Sequence, residues 1–464
     1  MNKLLRLAVV LGLSIAIIGC AGTTPRLSGT EKPGGQALQQ EGKALENQGD
    51  YAAAAEKYTQ AMKLGNAESA YDLALLYYAQ NIPSKDQAEA YERCFKLLSQ
   101  SADAGYGPGQ FELGYMYLAG DGAPKDPEKG LSLVKQAAEG GYVTAQERLG
   151  YSYLGQPTAE HQYLWPGLAV NTDEGIKWFK RAADNGSPNA AFTLGYLYAS
   201  GREVPLNYAE AAKWYAKAVG HNLDGAENNL ANLYVWGLGV PLDYNKALEL
   251  YNQAVAMGSS TAQYNIYELK LYAPEPYRDR REAVLEIRKM AENGYDYAKC
   301  TMGDIYANGL GVTRNYAEAA KWYEQAVDSG NEEAMYYLGE LYRQGLGVKR
   351  DYSKAAELYN RAMSVNPQAE RALGRAYYLG QGVEQDKARG VRIYESAAKR
   401  GDQEAMYLLG KEYEGSDVTE RNLDQARDWY HAAAEYTTQQ FVYTRYYDPA
   451  PIAAKARAAL GKLN

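Results

Sequence analysis

The chain has 464 residues, 57 acidic against 49 basic, and a formal net charge of -8. An acidic chain without a basic cluster is poorly suited to nucleic acid or anionic lipid, and its three histidines, His161, His221 and His431, are too dispersed for a metal or general-base cluster. Forty-four tyrosines against five phenylalanines give large contact surfaces that keep a hydroxyl, a composition suited to wet, shallow interfaces.

The first segment is MNKLLRLAVVLGLSIAIIGC, in which Lys3 and Arg6 precede an apolar run from Leu7 to Ile18. That run is too short to anchor stably across a bilayer, so 1–19 reads as a secretory signal. Ile17-Ile18-Gly19-Cys20 resembles a bacterial lipobox. The resemblance implies lipidation of Cys20 as the first mature residue. With Ala21 following in place of Asp, it also implies sorting to the outer membrane. The alternatives are an uncleaved anchor or an ordinary signal that happens to contain a cysteine. No other apolar stretch is long enough to cross a membrane, so the remainder is expected in the periplasm, attached through lipid alone. Loss of Lys3 and Arg6 with the signal takes the charge from -8 to -10.

After a flexible linker over 20–35, the segment 36–65, with EGKALENQGDYAAAAEKYTQAMKLGN, resembles an ordinary tetratricopeptide helical hairpin with Gly49-Asp50-Tyr51 at its turn. A repeat then takes over. A small or tyrosine anchor occurs at Ala74, Gly114, Gly150, Gly195, Ala231, Tyr267, Gly303, Gly339, Gly374 and Gly410, most often 36 residues apart. Leu, Ile or Met precedes every anchor, and Tyr follows three later in nine of ten cases, Lys270 being the exception. Such spacing places these side chains on one face of a helix. A Gly-x-Gly-Val turn follows at Gly237, Gly309, Gly345 and Gly380, and then Asn207, Asp243, Asn315 or Asp351 stands where it can cap a second helix. Glycines ahead of a helix can cradle phosphate, but no strand precedes these, and copying at fixed spacing marks them as turns.

The phrase LGxLYxxGxGVxxDYxxAxxWYxxAxxxG resembles the Sel1-like repeat, a relative of the tetratricopeptide repeat, over 66–436. The resemblance implies an all-α fold, a right-handed α-solenoid of about ten helix-turn-helix repeats, serving as an adaptor and generally not as a catalyst. Two departures stand out. The 45-residue spacing before Gly195 holds a long loop with Pro157, His161, Trp165 and Pro166, and the Tyr267 unit replaces its glycine turn with LYAPEPYRDRREA. Long loops are often functional, although drift at a tolerant turn is as ordinary. At 437–464 the phrase is lost; a last helix is expected to cover the final repeat, and Tyr443, Tyr446 and Tyr447 are the docking alternative. Cys94 and Cys300 stand several repeats apart, so no intramolecular disulfide is expected.

In tetratricopeptide-type units first helices line the concave face. By that analogy the positions three before and one after each anchor point into a groove. The first set includes Tyr71, Phe111, Phe192, Tyr264, Tyr336, Arg371 and Tyr407; the second includes Tyr115, Tyr151, Tyr196, Glu268, Asp304, Glu340, Arg375 and Lys411. The groove would be aromatic in its first half and charged in its second, able to hold an extended peptide or to stack on sugar. The competing view is that many of these aromatics only fill space between helices.

No cofactor and no metal are expected. The leading functional expectation is a lipoprotein scaffold for other envelope proteins. Similarity to lipoproteins that assemble polysaccharide secretion machinery, including the alginate-export scaffold, implies an exporter and periplasmic enzymes as partners. An envelope virulence or regulatory factor binding host proteins or a cell-wall enzyme is the alternative. A cell-wall-active enzyme ranks last, because the chain lacks the disulfide cysteines of the β-lactam-binding branch and any GxSxG, HExxH or SxxK set in a supporting context.

Overall fold

The computed structural model describes residues 31–155, 165, 167–416, 418–436 and 450–463. Cys20 and the leader, Pro157, His161 and Pro166 of the long loop, and Tyr443, Tyr446 and Tyr447 lie outside them. The described residues form twenty-three helices and no strand, an all-α solenoid of tandem hairpins. None of these helices is long and apolar enough to cross a membrane.

The Gly339 hairpin shows why these residues build these elements. Its first helix, Glu332–Gln344, starts at Asn331, whose side chain accepts from the Ala334 N–H at 2.8 Å. It ends at Gly345, which takes a φ of 75°, the left-handed conformation that costs glycine least. Leu338 and Leu341 flank the anchor and are buried. The second helix, Tyr352–Ala362, is capped by Asp351, whose Oδ1 accepts from the Ser353 and Lys354 N–H groups at 3.0 Å. The same device caps second helices at Asn207, Asp243 and Asn315.

One main-chain bond closes the turn in nine of the ten anchor hairpins, all but that of Ala74. The capping residue's N–H donates to the carbonyl three after the anchor, as from Asp351 to Tyr342 at 2.9 Å and from Asn315 to Tyr306 at 2.9 Å. Because the contact is backbone only, it survives in the irregular unit, where Asp279 donates to Lys270 at 2.8 Å. There Ser260–Tyr272 and Arg280–Glu292 still form a hairpin without the glycines.

The second turn glycine serves stacking. A Cβ on Gly347 would overlap the main chain at Tyr316 and Ala317, where the preceding second helix begins, and Gly239 and Gly382 make the same approach to Tyr208 and Tyr352. Only a residue without a side chain lets successive hairpins meet there.

The chain divides into two compact units, Met1–Met257 and Gly258–Asn464. The first holds the hairpin Gly35–Asn47 with Tyr51–Lys63 and those of Ala74, Gly114, Gly150, Gly195 and Ala231. The second holds those of Tyr267, Gly303, Gly339, Gly374 and Gly410, and the helix Ala450–Leu463, which packs on the two helices of the last hairpin. Cys94 and Cys300 are both buried, one in each unit.

Candidate binding surface

Within each unit, first helices of neighbouring hairpins approach one another directly, as at Ala74 and Gly114 or Gly303 and Gly339. This is the face that carries the expected groove residues. The side chains three before the anchors pair across it with the residue that begins the next first helix. Tyr71 meets Tyr106 with ring centroids 5.6 Å apart, Phe111 meets Tyr142 at 5.5 Å, and Tyr264 meets Tyr295 at 5.3 Å. Where the partners are polar the contact is polar: Ser187 bonds Glu147, and Arg371 Nε donates to Asp402 Oδ1 at 2.9 Å. The position is a stitch between hairpins.

The expectation that all of these residues line an open groove is therefore corrected. Phe111, Tyr264, Arg371 and Asp304 are buried, because each is taken up by a neighbouring helix. Tyr71, Phe192, Tyr336 and Tyr407 are half-buried. Phe192 lies against Tyr215, Tyr336 against Tyr359, and Tyr407 against Tyr430.

Residues one after the anchors divide. In three hairpins the second helix sends a tyrosine hydroxyl back to this position: Tyr251 donates to Asn232 at 2.5 Å, Tyr323 to Asp304 at 2.7 Å and Tyr359 to Glu340 at 2.7 Å. The tyrosine ring lies where an anchor Cβ would be, so Gly303 and Gly339 have no room for a side chain. Burial opposes ionisation of Glu340, but bonds from Arg343, Tyr359 and Gln344 outweigh it and hold the carboxyl below its ordinary range. Glu268 accepts from Tyr264 at 2.7 Å. Tyr151 shares a bond with Thr193 at 3.0 Å, and its ring meets Phe179 edge-on. Tyr115 meets Trp165 edge-on at 5.3 Å. Tyr196, Arg375 and Lys411 remain exposed.

Trp165, the described member of the long loop's named residues, is core. It is 3 % exposed, and its indole N–H donates to the Pro127 carbonyl at 2.8 Å. What sequence reasoning missed is the position two before the anchor. Thr301 bonds the Tyr264 hydroxyl at 2.6 Å, and Asp72, Glu112 and Arg148 place charge in the same register. The signal was present: from Asp72 to Thr301 that position is polar in seven successive units. Among the described residues no group of three or more side chains is arranged to hold a metal ion.

A file of helix hairpins, stitched along one face by such pairs, is a tandem-repeat solenoid. The Sel1 repeat family model matches residues 67–106, 107–142, 143–187, 188–220, 225–259, 297–331, 332–363, 367–402 and 403–435. The chain belongs to the Sel1 repeat family, whose members in general bind other proteins. The segment between the fifth and sixth matches is the irregular Tyr267 hairpin. The fold is similar to that of a protective antigen present in uropathogenic Escherichia coli strains, with 25% identity, a TM-score of 0.56 and coverage of 92% of this chain and 90% of that one. A Sel1 repeat protein from Oxalobacter formigenes is 24% identical over 86% of this chain and 98% of its own, with a TM-score of 0.40. No curated protein matches the chain.

Proposed function

We propose that the chain is a non-catalytic scaffold, anchored at the outer membrane through lipid on Cys20 and facing the periplasm, that positions envelope proteins against one another. The observation that carries this reading is the first-helix face. At one fixed register, hairpin after hairpin, its residues pass from Tyr115, Tyr151 and Tyr196 to Glu268, Asp304 and Glu340 and then to Arg375 and Lys411. Tyr196 stands open on this face in the first unit, and Arg375 and Lys411 stand open on it in the second; an aromatic contact in one and cationic contacts in the other suit partners of different chemistry. Assembly of a polysaccharide exporter with a periplasmic modifying enzyme is the pathway proposed, on likeness of architecture.

Crosslinking in cells followed by purification from detergent tests the scaffold, with an exporter or biosynthetic protein expected. Cys20→Ser is expected to move the chain from the membrane to the soluble fraction. Incubation with peptidoglycan or a labelled penicillin tests the non-catalytic part, and turnover or covalent label would count against it.

A second reading, a surface-exposed factor that binds host proteins, draws support from the likeness to the protective antigen. Protease treatment of intact cells separates the two, since a periplasmic chain is spared and a displayed one is cut.

A further inference from the structure

The residue just before each second-helix cap holds one fixed place at the turn. Its Cβ rests against the glycine that ends the first helix: Leu206 on Gly201, Leu242 on Gly237, Arg314 on Gly309 and Arg350 on Gly345. The turn therefore closes with leucine or with arginine at this place, so the fold does not require the charge. Arg314 and Arg350 also share a pose. Each guanidinium carbon lies 5.6 Å from the centroid of the tyrosine two residues on, Tyr316 or Tyr352. A stacked guanidinium has less freedom to lose when an anion arrives.

These cations are not spent inside the molecule. Arg281, Arg314, Lys349 and Arg350 are exposed, and among the described residues none of them makes an ion pair or a side-chain hydrogen bond. Arg278, in the irregular hairpin, is by contrast paired with Glu275 at 3.0 Å. The carboxylates at hand are engaged. Glu318 is paired with Lys321 at 2.6 Å, and Asp351 Oδ1 accepts from the Ser353 and Lys354 N–H groups. The cap beside Arg314 is neutral Asn315.

Stacking joins the cations into one edge within the second unit. Gly311 rests on Arg280, where one second helix begins, and Gly347 rests on Tyr316 and Ala317, where the next one does. Successive basic turns are thus in contact along the line from Arg281 past Arg314 to Arg350. Guanidiniums presented in a row match carboxylates. A sugar polymer would instead call for open aromatic faces, and here Tyr316 lies between its arginine and the hydrophobic core.

We propose that this turn edge, with Arg281, Arg314, Lys349 and Arg350, seats an extended acidic segment of a partner protein. The inference rests on the scaffold reading and names the chemistry of one partner contact, on an edge apart from the first-helix face.

The test uses the full chain and a short dye-labelled peptide of alternating glutamate and serine, blocked at both ends, with its glutamine counterpart and an oligogalacturonate. Fluorescence anisotropy at about 50 mM salt, where screening is modest, is expected to show binding of the glutamate peptide alone. Arg314→Leu with Arg350→Leu takes the residue that stands at this place in the first unit, and is expected to weaken that peptide about five- to tenfold. Lys289→Gln with Lys399→Gln removes the same charge at the far ends of second helices and is expected to leave binding unchanged. Equal affinity of wild type and the double leucine variant overturns the proposal, as does equal binding of the glutamate and glutamine peptides. Binding of the oligogalacturonate without the glutamate peptide also overturns it, assigning the edge to acidic sugar. Peptide binding that the leucine variant loses, with no envelope partner recovered by crosslinking, sustains the edge and overturns the scaffold. A natural partner held equally by wild type and the leucine variant rejects this edge while leaving the scaffold standing.

Discussion

The Tyr359 hydroxyl donates to Glu340 Oε1 at 2.7 Å, reaching from the second helix of a hairpin back to the first, across the face of Gly339. Tyr323, Asp304 and Gly303 repeat the arrangement one hairpin earlier. An abundance of tyrosine that suggests an interaction surface is thus partly an internal fastening. The ring occupies the space left by glycine, and the hydroxyl satisfies a polar group on the partner helix.

Removing the hydroxyl should be felt most where the acceptor is buried. Asp304 is 7 % exposed, so Tyr323→Phe takes a donor from a carboxylate that water cannot easily reach, at a cost of about 1–3 kcal/mol. Glu340 keeps Arg343 and Gln344, so Tyr359→Phe should cost less, about 0.5–1.5 kcal/mol. Urea unfolding followed by circular dichroism checks the order, and equal midpoints for the two variants would refute it.

The two kinds of glycine should respond differently to alanine. Gly339→Ala presses a methyl against the Tyr359 ring, an overpacking worth about 1–3 kcal/mol. Gly347→Ala should be worse. Its φ of 69° adds left-handed strain of about 1–2 kcal/mol, and the atoms it meets are main chain that cannot rotate aside. Thermal unfolding of the two variants side by side is the measurement.

Arg371 and Asp402 form a buried pair, the arginine also reaching Glu404 at 2.9 Å and the aspartate accepting from the Ala405 N–H at 2.7 Å. Arg371→Ala leaves a buried carboxylate with less than it needs, a loss of about 3–5 kcal/mol. Arg371→Met with Asp402→Asn should recover part of that loss, since the asparagine can still cap the helix. A double variant no more stable than Arg371→Ala in denaturant titration would contradict this account.

Asp72 supplies a pH dependence. It is 8 % exposed, and burial, only partly countered by Lys43 and by the bond from Gln39, pushes its carboxyl up to about 7. An unfolded aspartate titrates near 4. Between about pH 4 and 7 the folded chain therefore holds more proton than the unfolded one, and the contribution of this group to stability falls as pH rises through that window. Asp72→Asn removes the effect. Melting temperatures of both proteins from about pH 5 to 7.5 should show wild type gaining on the variant as pH is lowered; parallel curves would sink the assignment.

The repeat, its helices and their ends are legible in the residues alone. Gly345 and Asp351 act on backbone within a few positions of themselves, by φ preference and by a cap bond. The leucines beside each anchor follow the helical period. Sorting the expected groove residues into open and closed is not local. Arg371 meets Asp402 from 31 residues away, and Tyr359 meets Glu340 from 19. A tyrosine three before its anchor has the same helical register whether a neighbouring ring covers it or water does. That outcome depends on how closely one hairpin stacks on the next, through main-chain approaches such as that of Gly347 to Tyr316 and Ala317, and only the assembled structure resolves it.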